Sequence, residues 1–171
     1  MLKKAIVLIG LAMSLAASAA GQRSDDRTAV LAVVKQLFAE MAAANPVGII
    51  AVGTPENQLV ALFKQKDGKS RMQVISREAF AKMFADKTKV MEEVMYAPNA
   101  EVSGDWAMVW GRYVYFASGK LSHCGINQFN LVRTGAGWKI ANGASVIDPD
   151  ACTEEEKAII PSSAIRVKPS N

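Results

Sequence analysis

The chain has 171 residues, a formal net charge of +4, half of its residues apolar and 21% charged, a balance that excludes a disordered polyelectrolyte. No basic run or basic–aromatic interleaving accompanies the surplus charge, which excludes a nucleic-acid footprint. Two cysteines and one histidine are too few for a structural zinc site, and without a Gly-rich phosphate loop or clustered metal ligands neither metal nor nucleotide cofactor is expected.

Lys3 and Lys4 precede an apolar run from Ala5 to Leu15 and the small residues Ala17-Ser18-Ala19-Ala20, the pattern of a secretory signal peptide. The run is shorter than the roughly 20 residues that cross a bilayer. Residues 1–20 are therefore expected to be removed near Ala20, giving an exported protein, periplasmic or secreted, with no stable membrane anchor. Residues 21–150 are long enough for one domain with its own core, and residues 151–171 form a polar C-terminal tail.

In chain order, Ser24 caps a first helix with Asp25 and Asp26 in its opening turn, where negative charge meets the positive helix end. Val30, Val33, Val34, Leu37, Phe38 and Met41 recur at helical spacing and mark its buried stripe. Asn45-Pro46 ends it, and residues 46–57 read as an irregular connection with room for a short helical turn. A hairpin follows from Gln58 to Ile75 around Asp67-Gly68, a pair that tolerates the positive φ of a tight turn. Ser76 caps a second helix with Ala79, Phe80, Met83 and Phe84 on its apolar face. From Val90 the period returns to two, and one strand runs to Gly104-Asp105.

Residues 106–147 then read as three long strands, joined by turns at Ser118-Gly119 and Gly135-Ala136. An antiparallel meander of this length, preceded by helices, implies a curved sheet with one face covered. With two-residue turns, the register sets Val114 against His123, Trp110 against Asn127, Phe129 against Asn142, and His123 against Asp148. One face then collects Trp110, Arg112, Val114, His123, Asn127, Phe129, Leu131, Trp138, Ile140 and Asn142, and the other Tyr113, Tyr115, Cys124, Ile126 and Gln128. A bulge in either hairpin would flip part of this assignment.

The tryptophan face is the apolar one, so the helices should cover it. Its polar groups Arg112, His123, Asn127 and Asn142 cost about 1–3 kcal/mol each if buried without partners. They either pair locally near the sheet margin or line a pocket whose candidate ligand residues are Trp110, Arg112, Asn127, Phe129 and Asn142. The tyrosine face, poor in charge, is either an ordinary exposed sheet or a packing surface for a homodimer through Tyr113 and Tyr115. His123 and Cys124 point to opposite faces and cannot form a nucleophile–base pair. His123 opposite Asp148 is the constellation with catalytic potential, a carboxylate orienting an imidazole; the structural alternative is a pair closing the end of the sheet. Cys124 and Cys152 are expected to form a disulfide that staples the tail to the sheet, as an oxidising compartment favours.

The segments Val109-Trp110 with Tyr113 and Tyr115, Gly119 to Gly125, Phe129 to Arg133 and Gly137 to Ile140 resemble the nuclear transport factor 2-like superfamily, in its exported bacterial SnoaL-like and lumazine-binding-like branch. The resemblance implies an α+β fold: a cone-shaped curved antiparallel sheet with N-terminal helices on its concave face. It also implies a range of roles, from ligand binders to isomerases and dehydratases, so the fold does not deliver the function. The isomerases of that superfamily use a tyrosine on the first helix; this first helix has none, and that mechanism does not carry across. The expectation is an exported domain binding a small apolar or aromatic molecule in the cone. The alternatives are an isomerase- or dehydratase-type enzyme using His123 with Asp148, and a non-catalytic dimerising interaction protein.

Overall fold

The computed structural model describes residues 24–161; the predicted signal peptide, its cleavage site and the end of the tail lie outside them. Helix α1 spans residues 24–42, and its predicted stripe is buried at Val30, Val34, Leu37 and Met41. The connection after it holds the short helical turn that the sequence left room for. Pro46–Ala51 form a short helix α2 with proline at its first position and the Asn45 side chain accepting from the Gly48 backbone N–H, because proline's missing donor costs nothing in a first turn.

β1 (Gln58–Lys64) and β2 (Ser70–Ser76) pair as the predicted hairpin around Gly68, whose φ is +78°. Ser76 accepts from the Ala79 N–H and starts α3 (Arg77–Met83). The expected single strand after it is two, β3 (Met91–Met95) and β4 (Asn99–Ser103). Pro98 and the positive φ of Ala97 interrupt it, and both pieces pair with β5 (Trp106–Ala117). β6 (Lys120–Thr134) and β7 (Gly137–Asp148) complete the meander. The order across the seven-stranded sheet is β2-β1-β7-β6-β5-β3. β1 lies parallel to β7, so the sheet is mixed rather than wholly antiparallel. Helix α4 (Glu154–Lys157) follows. No helix among the described residues is long and apolar enough to cross a membrane.

Two register shifts decide which way the central side chains point. Tyr115 pairs with His123 but Phe116 with Leu121, leaving Ser122 as an extra residue in β6. Asn130 pairs with Asn142 but Leu131 with Ile140, leaving Ala141 extra in β7. Each extra residue reverses the alternation beyond it. On β6, His123, Asn127, Phe129 and Leu131 share the covered face as the sequence implied. On β5 the assignment inverts: Val109, Tyr113 and Tyr115 face the helices, and Trp110, Arg112 and Val114 face away. Asn142 also turns outward, and Asp148 sits opposite Cys124 rather than His123.

The main core joins α1 and α2 to the covered face through Val109, Phe129, Leu131, Trp138 and Ile140. Arg133 ties the start of α1 to the sheet by an ion pair to Asp26 (2.7 Å) while its guanidinium lies 4.4 Å from the Trp138 ring. A smaller apolar cluster forms behind the sheet from Val114, Phe116 and Cys124, against Tyr96, Cys152 and Ile159. Close packing leaves no room at Gly125: a Cβ there would lie 1.8 Å from the Val146 carbonyl oxygen and 2.8 Å from the Tyr113 ring. The substitution Gly125→Ala is expected to cost about 3 kcal/mol by overpacking; a urea-unfolding midpoint equal to wild type would refute this contact.

Candidate functional site

Between the covered face and helices α1 and α3 lies a chamber of about 280 Å³. Its walls are mostly apolar: Leu37, Phe38 and Met41 from α1, Phe80 and Met83 from α3, Phe84 just beyond it, and Leu59, Phe63, Ile75, Phe129 and Ile147 from the strands. The polar groups are Glu93, Tyr113, Tyr115, His123, Asn127 and Ser145. Pairing explains why they meet. Glu93 on β3 is opposite Tyr115 on β5, which is opposite His123 on β6, so three titratable side chains form one cross-strand row. Asn127 and Ser145 are opposite each other on β6 and β7.

The Asn127 amide donates to a Glu93 carboxyl oxygen. Ser145 donates to the Tyr113 hydroxyl (3.2 Å), which donates to the Val146 carbonyl (3.3 Å). The His123 ring stacks on Tyr115 at 4.7 Å and meets Tyr113 edge-on at 5.7 Å, with Nδ1 3.1 Å from the Ser122 hydroxyl. No lysine or arginine lines the chamber. Burial without a cation disfavours every charged form. It raises the Glu93 carboxyl to about 8 and Tyr115 to about 12, raises Tyr113 further, and lowers His123 to about 4. At neutral pH the row is uncharged and rich in hydrogen-bonding groups.

Of the residues singled out in the sequence, His123, Asn127 and Phe129 line this chamber; Trp110, Arg112, Asn142 and Asp148 do not. Trp110 lies on the outer face, 43% exposed. Arg112 is bound to Glu156. Asn142 accepts from the Asn130 amide. The Asp148 carboxylate accepts from the Asp150 N–H, on the other side of the sheet from His123, so the two form no dyad. The physical reason is the pair of bulges. Cys124 and Cys152 are joined in a disulfide. Tyr113 and Tyr115 face the chamber and cannot be the outer packing surface on which the homodimer was drawn. Glu93 was missed, although the pair Glu92-Glu93 in an alternating strand obliges one carboxylate to face inward.

No family model matches the chain, and no curated protein matches it. Solved structures do. An NTF2-like protein with a cystatin-like fold from Novosphingobium aromaticivorans superposes with a TM-score of 0.62 at 13% identity, over 82% of this chain and 92% of that one. The fold is NTF2-like.

Two further solved structures superpose on the chain. A candidate dehydratase of the NTF2-like family from Streptomyces avermitilis matches at a TM-score of 0.53 and 12% identity, over 73% of this chain and 97% of its own. A candidate aromatic ring hydroxylase from N. aromaticivorans matches at 0.53 and 15%, over 72% and 89%. At such identities the likeness extends to architecture alone. In this NTF2-like fold the chamber holds a row of Glu93, Tyr115 and His123 facing a first helix that carries no tyrosine.

Proposed function

We propose that this protein is an exported domain that holds a small, mainly apolar or aromatic molecule in the chamber between sheet and helices. The observation that carries this reading is the chamber: an apolar enclosure with its hydrogen-bonding groups gathered on neighbouring strands, the pattern of small-molecule sites. A cavity of roughly 150 Å³ holds one benzene, so about 280 Å³ suits two fused rings or a branched molecule of that size. The disulfide supports an oxidising compartment.

A second reading, that the chamber also transforms its ligand, is favoured by the convergence of Glu93, Tyr115 and His123, three groups able to donate or accept protons. It works through Glu93 rather than through the His123–Asp148 pair first considered. The homodimer remains a proposal for the outer face, where Trp110, Ile126 and Met72 are exposed. Native mass spectrometry of protein purified from its own exported fraction reads both proposals at once. The expected result is a co-purifying molecule of small mass released on unfolding, with the dimer appearing as a doubled subunit mass. The chamber reading is abandoned if neither the purified protein nor a screen of bicyclic compounds gives any bound species.

A further inference from the structure

The chamber is not sealed on the β2 side. Its wall on β1 is Leu59, Ala61 and Phe63, and the residues directly opposite on the edge strand β2 are Ile75, Gln73 and Arg71. Side chains opposite one another share a face, so this second row continues the inner face outward. Ile75 is buried and belongs to the wall, whereas Gln73 and Arg71 are exposed. Met83 at the end of α3 is also a wall residue and is also exposed. The helices therefore leave a mouth between Met83 and the polar pair. Arg71 is held at this mouth. Its guanidinium lies 4.4 Å from the centroid of the Phe63 ring, and Nη1 donates to the Gln73 side-chain oxygen at 3.2 Å. A solvated arginine that guards an edge strand extends into water; this one lies along a chamber wall. Among the described residues no carboxylate pairs with it, and Asp67, the acid of the hairpin turn, is engaged by Lys69. The Nε and Nη2 edge makes no hydrogen bond among the described residues, and that edge fits a carboxylate through two parallel hydrogen bonds.

We infer that the molecule held in this chamber is an aromatic or alicyclic carboxylate, its rings inside and its carboxylate at the mouth on Arg71. This deepens the ligand-binding reading and rests on it. The division of chemistry between interior and rim supports it. Inside, no lysine or arginine lines the walls, and a carboxylate there would be desolvated without a counter-ion. At the mouth it keeps part of its hydration and meets a planar fork of donors. The Phe63 stack already orients that fork, so little side-chain entropy is lost on binding. The hairpin assists the approach: Lys64, Lys66, Lys69 and Arg71 outnumber Asp67, and a rim of one sign draws in ligands of the other.

The test uses 2-naphthoate and its uncharged counterpart 2-naphthamide, which share their rings and differ in the group at the mouth. Both are titrated into the full exported protein in low salt and followed by NMR or calorimetry. Naphthoate is expected to bind about fivefold more tightly than naphthamide, the scale of one part-exposed charge-assisted pair. The preference should shrink in about 0.5 M sodium chloride. Arg71→Gln should bring the two affinities within about twofold by weakening naphthoate alone; unchanged naphthamide binding shows that the variant has folded. Should it fail to fold, Arg71→Lys, which lacks the planar fork, is expected to lose most of the preference. Lys69→Gln removes the same charge from the same hairpin without touching the Phe63 stack, and it should keep the preference. Equal affinity of wild type for the two probes overturns the anchor and leaves the chamber standing. So does a preference that survives Arg71→Gln, or one lost equally in Lys69→Gln. Failure of both probes to bind overturns the chamber and the anchor together.

Discussion

Replacing Glu156 with alanine is expected to lower stability by about 2–3 kcal/mol, the cost of losing charge-assisted hydrogen bonds between a buried carboxylate and a part-exposed arginine. Glu156 is fully buried although it belongs to the polar tail. Its carboxylate accepts from the Arg112 guanidinium through both Nε and Nη2, from the Tyr96 hydroxyl at 2.6 Å, and from the Thr153 backbone N–H at 2.7 Å. The last contact is half of a capping box that starts α4. The Arg112 hydrogen bonds are the main reason that the Glu156 carboxyl is held down at about 2. Removing the carboxylate leaves Tyr96 without its acceptor and Arg112 with the Ala151 carbonyl alone. The disulfide 28 residues apart in sequence keeps the tail near the sheet and contributes about 3–4 kcal/mol on the chain-entropy account. The loss should therefore appear as a lower urea midpoint with the chain still folded. The sign with pH follows: the Glu156 contribution is complete above about 4.5 and disappears as pH falls towards 2. A Glu156→Ala protein as stable as wild type at pH 7 would show that the clasp carries no energy.

Glu93→Gln is expected to stabilise the protein at pH 8, by a few kcal/mol, and to remove most of a pH slope. In the unfolded chain the carboxyl ionises near its ordinary value of 4.5, whereas in the fold it holds its proton to about 8. The unfolded state therefore releases a proton that the folded state keeps. Stability falls as pH rises from about 4.5 to about 8 and is level above that. The full gap corresponds to roughly 5 kcal/mol. His123 acts on the acid side, since its folded value of about 4 lies below the ordinary 6.5; its contribution is present above 6.5 and lost as pH falls towards 4. Denaturant melts from pH 5 to 9 on wild type and Glu93→Gln separate the two groups. Parallel curves for the two proteins would mean that Glu93 is ionised and solvated, and the uncharged row would be wrong.

The architecture was legible because its signals are local. The stripe Val30, Val34, Leu37 and Met41 faces the core as its spacing requires. Ser76 caps α3, and Asp67-Gly68 turns the first hairpin. The long meander follows from β-branched and aromatic runs separated by short turns. The pairing of Cys124 with Cys152 was also within reach, since one lies on a strand and the other just past the end of its neighbour. The parallel union of β1 with β7 was not, because it joins segments about 80 residues apart and neither strand's own pattern marks it.

The site was half legible for a single reason. Alternation along β6 correctly sends His123, Asn127 and Phe129 to one face, so the sequence by itself determined that these three would be neighbours. It could not count the partner residues across the sheet. Ser122 and Ala141 sit as extra residues beside the Tyr115/Phe116 and Asn130/Leu131 steps, and neither is a glycine or proline that would announce a bulge. Those two insertions brought Tyr113, Tyr115 and Ser145 inside and sent Trp110, Arg112 and Asn142 out. They also placed Asp148 behind the sheet. Tertiary structure alone decided that Glu93, a strand residue 30 positions before His123, completes the row. Side-chain direction is local in a strand, whereas cross-strand register is settled by the packing of the whole sheet.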